Sequence, residues 1–146
     1  MSDKKKPWFW NVALVLTVII CAVLLLSHYK NWITEKPQEL RIISGFYHVS
    51  LPYKDLDSVV WTAKLPPMER LHGFSALQKE KGVFREFKDS LTNKKVYVFV
   101  DNIAQQKIKL VYRDSSYLFL NLKDSTATLA LFNRVLGKMP LKEPLN

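Results

Sequence analysis

The feature that most constrains this chain is an uncharged apolar run near its N-terminus. Residues 8–26 read WFWNVALVLTVIICAVLLL, with Asn11 and Thr17 as the only polar interruptions between Trp8 and Leu26. A helix of that length is roughly 28 Å long, close to the hydrocarbon thickness of a bilayer. The β-branched Val and Ile side chains would weaken such a helix in water. In lipid every backbone group must be paired within the segment, and a helix achieves that. Trp8 and Trp10 at one end, and Tyr29 and Trp32 at the other, are placed as interfacial anchors. The exit sequence LLLSHYK has no small-residue cleavage site, and Ile20 before Cys21 does not suit lipidation of that cysteine. The run reads as a retained single-pass anchor that meets the lipid bilayer from Trp8 to Leu26.

Lys4, Lys5 and Lys6 precede the run, whereas Lys30 and Lys36 on its far side are diluted by Glu35. The positive-inside rule then predicts a cytoplasmic N-terminus in the inner membrane and an extracytoplasmic domain beyond it. Cys21 is the only cysteine, so no disulfide can form within the chain. The formal charge of +9 favours anionic surfaces such as phospholipid headgroups. Nucleic acid is not expected, because zinc spacing, a basic region and aromatic RNA-binding signatures are lacking.

The organisation expected is a tip and membrane helix over 1–30, a polar spacer over 31–38, a β domain over 39–137 and a flexible tail over 138–146. ELRIISGFYHVSLPY (39–53) reads as strand, turn and strand, punctuated by Gly45 and Pro52. A strand over 58–63 stops at Pro66 and Pro67. Short strands at 70–75 and 83–87 are separated by the charged stretch 79–82. VYVFV at 96–100 is continuously apolar, as in a strand covered on both faces. IKLVY and YLFLNL form a hairpin about the turn at 113–116. Asp124 or Ser125 then caps a helix over 126–136 with Leu129, Phe132 and Leu136 as its inward stripe, stopped by Gly137. The fold class is mainly β with one C-terminal α-helix, about seven strands in all, preceded by the membrane helix.

The strand-then-helix order, with ISGFYHVSLPYKDLDSV (43–59), Arg70-Leu71-His72-Gly73, Gly82-Val83-Phe84 and the closing 117–121 strand, resembles the bacterial PH-like (pleckstrin-homology-type) domain family of small membrane-associated proteins. The resemblance covers about residues 39–136. It implies two packed antiparallel sheets with a helix across one end, and a binding scaffold for lipids, peptides or proteins. It implies no activity, since fold does not give function.

Chemistry-bearing motifs are sparse. His28, His48 and His72 lack partners at metal-ligand spacing, so no metal is expected. There is no nucleophile elbow and no Gly-rich phosphate loop, so neither catalytic residues nor a cofactor are expected. Asp55 and Asp57 read as turn residues that start the next strand. Phe46, Tyr47, Tyr53, Trp61, Phe74 and Phe84 read as core. Arg70, His72, Lys79, Lys81 and Arg85 are the best candidates for an anionic contact in or beside a loop. The function expected is a non-enzymatic, membrane-anchored binding module with a membrane or envelope protein as partner. An inhibitor or immunity-type protein, or a subunit of a membrane complex, is the alternative.

Overall fold

A computed structural model describes residues 7–87, 94–113 and 115–140. The Lys4–Lys6 cluster, Asp114 in the expected hairpin turn and the tail past 140 lie outside them. The apolar run forms helix α1 (Pro7–Tyr29), 23 residues or roughly 34 Å long. None of its residues is fully buried, and by length and composition it is a candidate membrane span. Thr17 turns its hydroxyl back to the Ala13 carbonyl at 2.8 Å, so that polar interruption is satisfied within the helix.

The domain is a two-sheet β-sandwich. Its smaller sheet is the meander β1 (Trp32–Glu35), β2 (Glu39–Ser44) and β3 (Tyr47–Pro52). β1 corrects the expected spacer: only Lys30 and Asn31 separate it from the helix, and Trp32 pairs with Ile43 and Glu35 with Leu40. A four-residue strand with alternate residues half-buried leaves too little apolar signal to read in sequence. Its end is also tied down, because Glu35 accepts from Arg134 at 2.8 Å and lies 3.4 Å from the Lys138 ammonium.

The larger sheet comprises β4 (Leu56–Thr62), β5 (Met68–Ala76), β6 (Lys79–Glu86), β7 (Val96–Val100), β8 (Lys107–Tyr112) and β9 (Ser116–Asn121), in the order β4-β8-β9-β7-β6-β5. The charged 79–82 stretch is not a separator. It is the start of β6, joined to β5 by a turn at Leu77 and Gln78. The β8–β9 hairpin folds back into the slot beside β7, so β9 runs parallel to β7 with Tyr97 opposite Leu118. That one parallel pair departs from the all-antiparallel sheets the resemblance implies. The class itself, mainly β in two sheets with a C-terminal helix, is as expected, with nine strands among the described residues.

Alternation sends two sets of side chains to opposite faces of the larger sheet. Phe99, Ile108, Leu110, Leu118 and Leu120 meet Leu40, Ile42 and Leu51 of the smaller sheet in the main core. Val96, Val98, Val100 and Phe119 pack on the other face with Phe84, beneath Leu65 and Met68. Each fully buried aliphatic side chain contributes about 1.5–3 kcal/mol.

Helix α2 (Ser125–Gly137) covers the rest of the main core. Asp124 is its N-cap, accepting from the Ala127 amide at 3.0 Å. Its inward stripe is Thr128, Leu131 and Val135, not the expected Leu129, Phe132 and Leu136. Leu129 and Leu136 are about half exposed, while Phe132 lies between the faces and stacks on Trp61 at 4.4 Å. Periodicity alone points to the other stripe because Thr128 counts as polar. Its hydroxyl accepts the Leu122 amide at 3.0 Å and donates to the Asp124 carbonyl at 2.9 Å, so it is satisfied in the core.

Candidate functional site

The densest group of buried polar side chains lies where α1 enters the sandwich. Asn31, two residues past the helix, is buried. Its amide nitrogen Nδ2 donates to the Phe99 carbonyl at 2.6 Å and the Asn121 carbonyl at 2.9 Å, and its Oδ1 accepts from Ser44 Oγ at 2.6 Å. Its backbone N–H donates to Asp101 Oδ2 at 2.9 Å. Asn121 closes the group by accepting the Asp101 and Asn102 amides at 2.8 and 3.1 Å. Strands β2, β7 and β9 thus all converge on one residue of the linker.

Lys81 is the cation of this group. Its side chain has no exposed surface and its ammonium is 2.9 Å from Asp101 Oδ1. Burial pushes its pKa down, with the Asp101 carboxylate acting in the opposite sense. The same ammonium donates to the His28 carbonyl at 3.3 Å, and Lys79 donates to the Tyr29 carbonyl. These are among the orphan carbonyls of α1, at the negative end of its dipole, where cations are favoured. Lys123 holds the rim of Tyr29 through its hydroxyl at 3.2 Å.

A second layer is aromatic. The His28 ring is flanked by Phe46 at 4.8 Å and Phe74 at 5.1 Å. Gly45 has φ +61°, and a Cβ there would lie 2.6 Å from His28 Nε2, so the turn backbone rests directly on the helix. Helix, hairpin turn and sheet meet with no slack between them.

The residues expected to bind an anion fall on one hairpin, β5–β6, and not in a loop. Register divides them between its two faces. Arg70 meets Glu80 at 2.6 Å, and Arg85 meets Glu69 at 2.5 Å. His72 lies in β5 rather than a loop, stacked over Tyr47 with Nδ1 3.0 Å from the Tyr47 hydroxyl. Lys79 and Lys81 are consumed at the helix end. All five are therefore engaged within the chain, and they make no open anionic cradle.

Among the residues expected as interfacial anchors, Trp8 and Trp10 are exposed on α1. Tyr29 ends the helix, and Trp32 sits outward on β1 beneath the Lys30 ammonium at 4.2 Å. Of the expected core aromatics Tyr53 and Phe84 are buried, but Phe46 is three-quarters exposed. Asp55 closes the single turn before β4 and pairs with Arg113 at 2.7 Å. Among the described residues no group of three His, Cys, Asp or Glu is placed to hold a metal. A groove of about 880 Å³ runs between the β1–β2 turn and the end of α2. It is remote from the helix joint, and its Lys36 and Lys138 are already paired with carboxylates.

Sequence reasoning missed the joint because its members are single polar residues scattered from 31 to 121. Only Lys79 and Lys81 stand out in the sequence, and there as candidates for an anion and not for the end of a helix. No protein-family model, curated relative or solved structure matches this chain.

Proposed function

We propose that this chain is a single-pass, membrane-anchored interaction module without enzymatic activity. It holds its β-sandwich in a fixed attitude at the bilayer and offers one sheet edge to a membrane or envelope protein. The observation that carries this reading is the joint itself. A tether that merely concentrated a domain at the surface would use a loose linker, whereas Asn31 is bonded into three strands immediately after α1.

The edge offered is β5, the last strand in its sheet, with seven of its nine residues exposed. An extended segment of a partner can add there through main-chain hydrogen bonds, with exposed side chains such as Leu71 setting preference. The irregularity between Arg70 and His72 limits indiscriminate pairing. The PH-like kinship is favoured by the two sheets and closing helix, and opposed by the parallel β7–β9 pair.

A photo-crosslinking residue at Leu71, compared with one at Leu129 on α2, tests the reading in native membranes. A discrete adduct at position 71 alone is expected. Equal labelling at both positions, or none, would overturn it. Orientation is tested with C-terminal fusions: active alkaline phosphatase and dark green fluorescent protein are expected for an exported domain.

A further inference from the structure

The hairpin tips around α1 reach back along the helix. A helical side chain leans over the turn that precedes it, and His28 does so, with Nδ1 2.9 Å from the Leu24 carbonyl. Phe46 and Phe74 close on that ring. Both aromatics therefore lie beside the stretch 24–28 and not beyond the end of the helix. Leu24, Leu25 and Leu26 are the last residues of the apolar run, where a spanning helix leaves the hydrocarbon.

Apolar side chains collect at this end without burying themselves. Leu77 at the β5–β6 tip is fully exposed, held at φ +56°, and Phe46 at the β2–β3 tip is 75% exposed. Ile103, whose amide donates to the Gln78 carbonyl at 2.7 Å, adds a third exposed tip. Ammonium groups stand over aromatic rings in the same zone, Lys30 on Trp32 at 4.2 Å and Lys123 on Tyr29 at 5.3 Å. Apolar tips beside lysines on aromatic rims match the chemistry of a bilayer interface, hydrocarbon below and phosphate above.

We propose that this end of the sandwich is a lipid-binding surface. Phe46 and Leu77 enter the interfacial layer of the leaflet from which α1 emerges, and Lys30 and Lys123 meet lipid phosphates. The occupant is the phospholipid bilayer. The inference rests on the reading of α1 as membrane-spanning.

The test uses the full chain in vesicles of phosphatidylcholine and phosphatidylglycerol, with the environment-sensitive fluorophore NBD on one cysteine at a time. Cys21 reports the helix. Phe46→Cys, Leu77→Cys and Lys54→Cys, each with Cys21→Ser, report the two tips and the far end of β3. Lipids carrying a nitroxide high on the acyl chain should quench the probes at 46 and 77 several-fold more strongly than the probe at 54. Deep nitroxides should quench the probe at 21. Leu77 makes no ring contact that its replacement removes, so position 77 decides if the Phe46 variant disturbs the joint. A quenched probe at 21 with position 77 no better quenched than 54 overturns the lipid surface and leaves that tip to a protein or a second copy. An unquenched probe at 21 overturns the anchor, and the lipid surface with it.

Discussion

The Lys81 ammonium lies 2.9 Å from Asp101 Oδ1 with both side chains sealed from solvent. Removing one partner strands the other charge, so Asp101→Ala should cost about 3–5 kcal/mol. Replacing both, as Lys81→Met with Asp101→Leu, should recover most of that loss, though Asn31 keeps one unmet amide. Burial holds the Lys81 pKa below its ordinary value of 10.5. Between the two values the unfolded chain binds more protons, so this group makes stability rise with pH and level off above 10.5. Denaturant unfolding of the wild type and the double variant across that window gives the comparison. An equally steep rise in the double variant would clear Lys81 of the effect.

Tyr112 acts in the opposite sense. Burial raises its pKa from 10.0 to about 12, so the folded chain retains a proton that the unfolded chain has lost. Stability from this source is intact below pH 10 and fades as pH climbs through about 12. At 1.36 kcal/mol per pKa unit, and with solvent screening of a ring that is only partly buried, the loss stays below about 2 kcal/mol. The stability of Tyr112→Phe, measured against the wild type, should therefore fall less steeply in alkali.

Asn31→Ala should loosen the joint without touching the helix or the cores. It leaves Ser44 and two buried carbonyls short of a partner, at about 1–3 kcal/mol for each group left unmet. Electron–electron distances between a spin label in α1 and one at Lys54 should broaden markedly. An unchanged, narrow distribution would mean that the aromatic layer alone fixes the attitude of the domain.

Gly73 and Gly82 face one another across β5 and β6 with φ of +138° and +157°. A Cβ on Gly73 would lie 2.3 Å from the Lys81 carbonyl oxygen, a backbone atom that cannot swing aside. Gly73→Ala should cost about 2–4 kcal/mol, readable as a drop in the denaturant midpoint.

On α2, Leu131→Ala should cost about 2–5 kcal/mol, whereas Leu129→Ala should stay within about 0.5 kcal/mol. Equal losses at the two sites would restore the stripe first read from the sequence.

Some elements of the fold are legible in the sequence and others are not, as the two stripes of α2 show. The apolar helix α1, the β2–β3 hairpin and the strands β7, β8 and β9 announce themselves, because each is a run of apolar residues at one period. β1 does not, because Ile33 is the only aliphatic residue among its four. The opening of β6 was hidden for a different reason. Lys81 is buried by virtue of Asp101, which lies twenty positions away and joins it only once β6 and β7 are paired. The parallel β7–β9 pair was equally invisible, since no local pattern says that a hairpin will fold back into an empty slot. Of the site, the sequence showed the cations but not their partners.

Beyond Ser44, the partners of Asn31 stand 68, 70 and 90 residues further along the chain. At about 5–20 residues per second a ribosome needs roughly 5–18 s to reach the last of them after Asn31 itself is made. Helix α1 is therefore synthesised long before β7 and β9, the strands that complete the grip on its end. For that interval the helix carries an unlocked chain, and it is the arrival of β9 that fixes helix and domain to one another.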